Sequence, residues 1–367
     1  MKAGWRKGIV VMVLILAVAL FAGSFWQKEQ QKVYSRDIFA MDTYFVIRAY
    51  GPYAGDALAL CEQEVQRLEQ AFSVTDANSD VARLNRGECI VPGEDTGKLL
   101  GEALRLCEAT NGALDISLYP ILKEWGFTTG DYHVPEAAKL RELLAHVDYR
   151  ELPAAQENPD GPGNPENTDN TENPENRGMQ LPKGMEIDLG AVAKGYTGDC
   201  LIEQLRSEKV SSAILDLGGN IQVLGTKPDG SDWRVAVKNP FDPAKQIGVV
   251  AVSDKAVITS GGYERFFEQD GKTYWHILDP QTGYPSERGL LSVTVVGDRG
   301  VECDGLSTAL FVMGTEDAVE YWRGNARFEM ILVTVDGRLL VTEGLQDSFT
   351  CSEEWNAEFI YRDEFEK

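Results

Sequence analysis

The stretch from Pro153 to Gly178, PAAQENPDGPGNPENTDNTENPENRG, sets the first limit on what this chain can become. Asn, Pro, Glu and Gly fill it, and apolar side chains are almost absent. It cannot bury enough surface to offset the entropy of ordering itself. It reads as a disordered surface segment, and any core must come from the residues on either side. Those two blocks fold separately, with the segment as a linker, or they share one core from which it loops out. A chain of 367 residues is long enough for either.

Both blocks carry the periodicities of ordered structure. Val33 to Tyr50 suits strands, with Tyr44-Phe45-Val46-Ile47 after Met41-Asp42-Thr43. Ala57 to Leu68 reads as an amphipathic helix, because Leu58, Cys61, Val65 and Leu68 recur at three and four. A second helix, Leu99 to Thr110, stops at Asn111-Gly112, a sound C-terminal cap. Beyond the segment, Met185 to Gly190 reads as a short strand ending in a glycine turn, and Ala191-Val192-Ala193-Lys194-Gly195-Tyr196 opens a helix. Such a junction brings backbone close to a ligand, and its helix N-terminus favours an anion, although most junctions of this kind serve packing alone. Ala213 to Asn220, Trp233 to Val237, Val249 to Val257 and Leu291 to Val296 read as further strands. Met330 to Val335 and Leu339 to Val341 read as a strand pair joined at Asp336-Gly337.

Charge and cysteine usage exclude some functions. A net charge of −23 argues against a nucleic-acid partner, because phosphate backbones are held by clustered Lys and Arg. An anionic small ligand would need a local device: a metal, a helix N-terminus or a few placed cations. The six cysteines are scattered without a CxxC or a zinc-like spacing, which predicts neither a zinc site nor a disulfide framework. Lys2, Arg6 and Lys7 precede an apolar run from Ile9 to Ala22 that exits through Gly23-Ser24. This plan predicts export of the chain, with residues 1–26 either a cleaved signal or a retained membrane anchor.

Two clusters carry chemistry. Of three histidines, only His276 lies in a short apolar run, His276-Ile277-Leu278-Asp279-Pro280, closed by the Gln281-Thr282-Gly283 turn. A histidine just before a sharp bend can be presented into a cleft, or can simply pack, and this stretch alone favours packing. In Glu302 to Leu310, a helix would put Asp304, Ser307 and Thr308 at i, i+3 and i+4 on one face. One carboxylate and two hydroxyls form a hard-oxygen set suited to Mg²⁺. Taken alone, the segment favours Asp304 as an N-terminal helix cap.

Taken together, these segments resemble the ApbE family of FAD:protein FMN transferases. The pieces stand in family order: Met41, Phe72-Ser73 with Arg83-Leu84-Asn85, and Gly112-Ala113-Leu114-Asp115 with Trp125-Gly126-Phe127. Then follow Asp188 to Tyr196, Leu217-Gly218-Gly219-Asn220 with Gly225 to Pro228, Thr259-Ser260-Gly261, His276 to Gly283, and Asp304 with Ser307-Thr308-Ala309. Each is weak alone; the ordered set is specific.

The resemblance implies an α+β fold: a single catalytic domain of mixed sheets flanked by helices, residues 33–362, with 153–178 an insertion within it. It implies that the protein binds FAD as substrate together with Mg²⁺. FMN would pass to a threonine hydroxyl of a separate extracytoplasmic acceptor, releasing AMP. The chain has no Ser/Thr-Gly-Ala-Thr-like acceptor segment of its own, so the expected acceptor is a flavin-carrying subunit of a membrane redox complex. By motif position, Met41, Thr75, Ala113, Leu114, Asp115, Asp188, Lys194 and Leu278 would line the FAD site. The Ala191 carbonyl, Asp304 and Thr308, with Ser307 nearby, would hold the metal, and His276 would take the threonine proton. Many members carry a flavin-stacking aromatic residue where this chain has Thr75. That departure keeps FAD hydrolysis open as an alternative, and non-catalytic flavin binding at the cell surface is another.

Overall fold

The computed structural model describes residues 28–153 and 178–363. The apolar run Ile9 to Ala22 and all but the ends of the Asn/Pro/Glu-rich segment lie outside the described residues. Among the described residues no helix is long and apolar enough to cross a membrane.

The chain begins with β1 (Val33–Ala40) and β2 (Thr43–Tyr50), a hairpin whose two turn residues, Met41 and Asp42, have φ of 50° and 60°. Left-handed backbone at both positions matches the twist of the strands, but a methionine there is strained, a condition that tends to accompany functional sites. Next come α1 (Ala54–Phe72), α2 (Asp80–Asn85), α3 (Glu94–Ala109), α4 (Tyr119–Glu124) and α5 (Ala137–Leu144). The second block opens on α6 (Gly190–Ser207), then β3 (Ala213–Leu217), β4 (Asn220–Leu224), β5 (Trp233–Asn239), β6 (Asp242–Val252) and β7 (Ala256–Gly261). A small hairpin, β8 (Phe266–Gln269) and β9 (Lys272–Trp275), leads to β10 (Leu290–Gly297), α7 (Gly300–Met313) and α8 (Thr315–Gly324). The chain ends on β11 (Phe328–Thr334), β12 (Leu339–Thr342), β13 (Phe349–Cys351) and β14 (Ala357–Ile360).

Nine strands make one sheet in the order β1-β2-β3-β4-β7-β10-β11-β12-β14, antiparallel throughout except for β12 with β14. Because β2 pairs with β3, the blocks on either side of the Asn/Pro/Glu-rich segment share this sheet. Helices α1, α3, α6 and α7 cover one face, and the three-stranded sheet β13-β6-β5 covers part of the other. The burial patterns follow from this layering. Strand β10, LLSVTVVG, is covered on both faces and is a nearly continuous apolar run, whereas β5, WRVAVKN, faces solvent on one side and alternates strictly. The arrangement is the α+β class that the resemblance implied.

Three local expectations change. Met185 to Leu189 joins no sheet, and Gly190 is already the first residue of α6. The Ile187 N–H and C=O are both taken by the Asn85 carboxamide, at 2.8 and 2.9 Å, and the Asp188 N–H by the Ile116 carbonyl at 2.9 Å. A side chain thus supplies what a neighbouring strand would, and the buried Met185, Ile187 and Leu189 keep a strand-like alternation. The run Val249 to Val257 is two strands in different sheets, parted at Asp254, whose φ is 48°. Both sides of the break are valine-rich because both are buried, which hides the turn from a hydropathy reading. Finally, Asp304 lies in the second turn of α7 and is no cap. The cysteines are all unpaired thiols, and Cys61 and Cys107 pack as small apolar groups on their helix faces.

Candidate functional site

The site is built where α6 and α7 touch. Gly195 makes the contact possible: a Cβ there would run into the Gly300 carbonyl and lie 2.8 Å from Asp304 Cβ. The first amides of α7 need acceptors, and its own N-cap residue, Arg299, makes no side-chain cap. Asp199 of α6 accepts them instead, from Gly300 N at 2.6 Å and Val301 N at 3.0 Å. Gln222 on β4 adds a third tie, donating to the Gly195 carbonyl at 2.9 Å.

This packing delivers Asp304 to the first turns of α6. Its Oδ2 accepts the Gly195 N–H at 2.8 Å. That amide stands four residues after Ala191 and is the one a regular helix directs at the Ala191 carbonyl. Asp304 is 4% exposed, and burial pushes its carboxyl above the usual carboxylate range, opposed by the Lys194 ammonium, the Gly195 amide and the Asn220 carboxamide. Beside it, Ser260 Oγ at the end of β7 lies 2.8 Å from Ser307 Oγ and 3.2 Å from Thr308 Oγ1, and Ser307 Oγ donates to the Asp304 carbonyl at 2.8 Å.

The residues fit a hard divalent cation. A buried carboxylate and a knot of hydroxyls beside the first turns of α6 make an oxygen-only donor set, the kind Mg²⁺ takes. Among the described residues no group of three or more His, Cys, Asp and Glu side chains gathers that could hold a metal ion, so a cation here would rest on the single carboxylate of Asp304 with hydroxyl and carbonyl oxygens.

Lys194 stands at the centre of the charged groups. Among the described residues it forms no ion pair, yet its ammonium acts on Asp188, Glu264, His276 and Asp304. Asp188 Oδ1 accepts the Gly190 N–H at 2.8 Å at the start of α6, and surrounding protein raises its carboxyl, with Arg265 and Lys194 opposing. Glu264 is raised in the same way. His276 is half-buried. Its Nδ1 lies 3.2 Å from the Arg265 carbonyl, which also accepts its backbone N–H at 3.1 Å. A carbonyl can only accept, so the proton sits on Nδ1 and the Nε2 lone pair is free. Burial, then the Arg265 and Lys194 cations, push the imidazole down to about 4, so it is neutral at neutral pH and not poised near 7 as its ordinary value suggests.

An aromatic wall stands behind His276. Phe127 lies 6.4 Å from the imidazole, ring centre to ring centre, and Trp125, Tyr132, Phe267 and Tyr274 extend the wall along the β8–β9 hairpin. Trp125 Nε1 holds the Gly283 carbonyl at 2.7 Å. Asp279 Oδ1 accepts from Gln281 N at 2.8 Å, so this carboxylate shapes the turn, as its Asp-Pro context predicts.

The other expected residues divide into two groups. Met41 packs over α6, with the Thr197 hydroxyl 3.9 Å from its sulfur, and its N–H donates to Glu69 at 2.8 Å. Ala113 and Leu114 pack in the core that holds α7, with Leu114 against Gly305. The structure ties three residues less directly. The Asp115 carboxylate is taken up internally by Ser117 N at 2.8 Å, Ser117 Oγ at 2.6 Å and Tyr149 N at 3.1 Å. The Leu278 side chain lies in the satellite cluster of Trp125 and Phe127. Thr75 is exposed, its hydroxyl 3.1 Å from Ser73 Oγ, with no contact to the Asp304 group. Ser260, Asn220, Gln222, Glu264 and Arg265 belong to the site without having been assigned to it from sequence. Two of them stand inside segments already singled out, Thr259-Ser260-Gly261 and Leu217 to Asn220, where a polar residue at an inward strand position was the available signal.

Known proteins place the chain. The ApbE family model matches residues 41–332. The FAD:protein FMN transferase of Treponema pallidum is 31% identical over 94% of this chain and 94% of its own length, and that of Klebsiella pneumoniae 31% over 85% and 92%. Among solved structures, the ApbE protein of Thermotoga maritima superposes with a TM-score of 0.75 at 29% identity, covering 85% of this chain and 98% of its own. The apo flavinyl transferase ApbE of Pseudomonas stutzeri gives 0.71 at 27%, over 88% and 95%. With the family model spanning most of the chain, and the glycine-mediated contact and buried carboxylate lying inside the matched residues, this protein belongs to the ApbE family.

Proposed function

We propose that this protein transfers FMN from FAD to a threonine hydroxyl of a separate acceptor protein, in a Mg²⁺-dependent reaction that releases AMP. Its relatives are named for FMN transfer from FAD to protein, and the enzyme class follows from that kinship. The observation that carries the finer reading is the pairing of two unlike groups around Lys194: a buried oxygen-donor set at Asp304 and a neutral imidazole at His276.

The Asp304 carboxylate, the Thr308 and Ser307 hydroxyls and the Ala191 carbonyl are the groups that would hold Mg²⁺. Bound there, the ion supplies charge neutralisation for the pyrophosphate and for the leaving phosphate. The chain's own groups do the rest. Lys194 adds a positive charge beside the linkage, where so acidic a protein needs one. Met41, Ala113, Leu114, Asp188 and Leu278 line the approach for the flavin half, with the Asp115 carboxylate bracing the turn that carries its neighbours. The acceptor threonine Oγ attacks the FMN phosphorus as its proton passes to His276 Nε2. The bond from that phosphorus to the bridging oxygen breaks, a phosphoester to threonine forms, and AMP leaves with the bridging oxygen.

The Lys2 to Ser24 segment supports export, which would put the reaction on the outer face of the cell membrane. The acceptor is then an extracytoplasmic protein with a Ser/Thr-Gly-Ala-Thr-like segment. One observation favours hydrolysis as a competing outcome: Thr75 offers no ring plane to hold the flavin while the acceptor arrives. Incubation with FAD, Mg²⁺ and an acceptor domain separates the readings by mass. FMN covalently on the acceptor threonine is the expected result. FMN and AMP with an unmodified acceptor mean hydrolysis, and unchanged FAD means binding alone.

A further inference from the structure

The turn between β3 and β4 presents an amide that the fold leaves unused. Leu217 and Asn220 pair across a two-residue turn, Gly218 and Gly219, with φ of 67° and 94°. Only glycine adopts both values without strain. Asp216 Oδ1 locks the turn by accepting the Gly219 N–H at 2.8 Å. Asn220 is therefore fixed as the first residue of β4, and its side chain leaves the strand on the same face as Gln222, two residues on.

Of these two amides only Gln222 ties to α6. Gln222 Nε2 donates to the Gly195 carbonyl at 2.9 Å, while the Gly195 N–H goes to Asp304. The Asn220 amide is directed at the Asp304 carboxylate and favours its ionised form, but the approach falls short of hydrogen-bonding geometry, so Nδ2 lacks a full partner although the residue is only 3% exposed. A buried donor in a native fold is almost always paired, so an unpaired one needs an explanation.

The chemistry of the group narrows that explanation. An amide NH₂ only donates, so it cannot ligate a cation, and its partner must be an oxygen. Its neighbour Asp304 belongs, with the hydroxyls of Ser260, Ser307 and Thr308, to the group expected to face a metal-bound pyrophosphate. We propose that Asn220 is a substrate-binding residue that donates a hydrogen bond to a non-bridging phosphoryl oxygen of FAD beside Asp304. The assignment rests on the functional reading above. Lys194 supplies charge at this linkage, and Asn220 supplies direction without adding to the charge balance.

The test measures binding, not turnover. Wild type, Asn220→Ala and the isosteric Asn220→Asp are titrated with FAD and with riboflavin, which has no phosphate, by flavin fluorescence with and without Mg²⁺. Melting temperatures are recorded alongside. For Asn220→Ala the FAD affinity should fall roughly tenfold or more while riboflavin affinity and melting stay near wild type. Asn220→Asp should lose more, because it sets a carboxylate against the phosphoryl oxygen. FAD binding unchanged in both variants, or equal losses for FAD and riboflavin, would overturn the proposal alone. A wild-type protein that does not bind FAD would overturn the functional reading and this assignment with it.

Discussion

The two halves of the site are made in different ways. The Asp304 half is set into the core: two helices meet at Gly195 and Gly300, Asp199 caps one from the other, and Asp304 is buried. The His276 half is built on a bend and a small two-stranded hairpin, backed by the satellite cluster of Trp125, Phe127 and Leu278. Close-packed helices hold donor atoms to a fixed geometry, which a metal and a pyrophosphate require. A bend beside a hairpin can accommodate a second protein, which a transferase must admit. On the proposed function, substrate holding falls to the first half and proton transfer at the acceptor to the second.

The largest expected effect breaks the first half. Asp304→Ala removes the one carboxylate among the proposed metal donors and should abolish transfer, with added Mg²⁺ restoring it only in part. Full activity at low Mg²⁺ would show that the oxygen set is not the metal site. His276→Ala should slow single-turnover transfer by about a hundredfold and leave the fold intact. A lower melting temperature with a rate loss that tracks the folded fraction would return His276 to a packing role.

The pH profile sharpens the contrast. The His276 imidazole, held down to about 4, is in its accepting form throughout the neutral range. Activity should fall only as pH drops through that value, when the ring protonates, and not near 6.5. Substrate phosphates beside Lys194 and Arg265 offset the cations that depress it, so the acid limb of kcat should lie at higher pH than that of kcat/KM, which reports the free enzyme. His276→Ala should show neither limb. A wild-type limb at 6.5 in kcat/KM would mean that the ring is not held as described. The smallest effect concerns the Pro153 to Gly178 segment, whose deletion should leave melting and transfer nearly unchanged, since a surface insertion adds little closure cost. Loss of cooperative melting in the deletion would give it a packing role.

Much of the first half was legible because its signals are local. Asp304, Ser307 and Thr308 share a helix face by spacing alone, and Gly195 sits in a small-residue run that announces a close approach. The identity of what approaches was not legible. Ser260 meets Ser307 across 47 positions, and Asp199 caps α7 across 101, and no local pattern encodes such distances. The helix-cap reading of Asp304 failed for the same reason, because the true cap comes from another helix. On the other half, His276 stood out by its bend, but its depressed pKa depends on burial and then on Arg265 and Lys194, which only the fold gathers around it. Met185 to Gly190 resembled a strand because burial dictates its alternation, while its hydrogen bonds go to Asn85.

The division of labour between the halves is tested most directly by FAD affinity measured with and without Mg²⁺ in wild type, Asp304→Asn and His276→Ala. Wild type should bind FAD more tightly with Mg²⁺, His276→Ala should reproduce that gain in full, and Asp304→Asn should lose it. If His276→Ala loses the Mg²⁺-dependent gain as Asp304→Asn does, or if Asp304→Asn keeps it, substrate holding and proton transfer are not divided between the two halves.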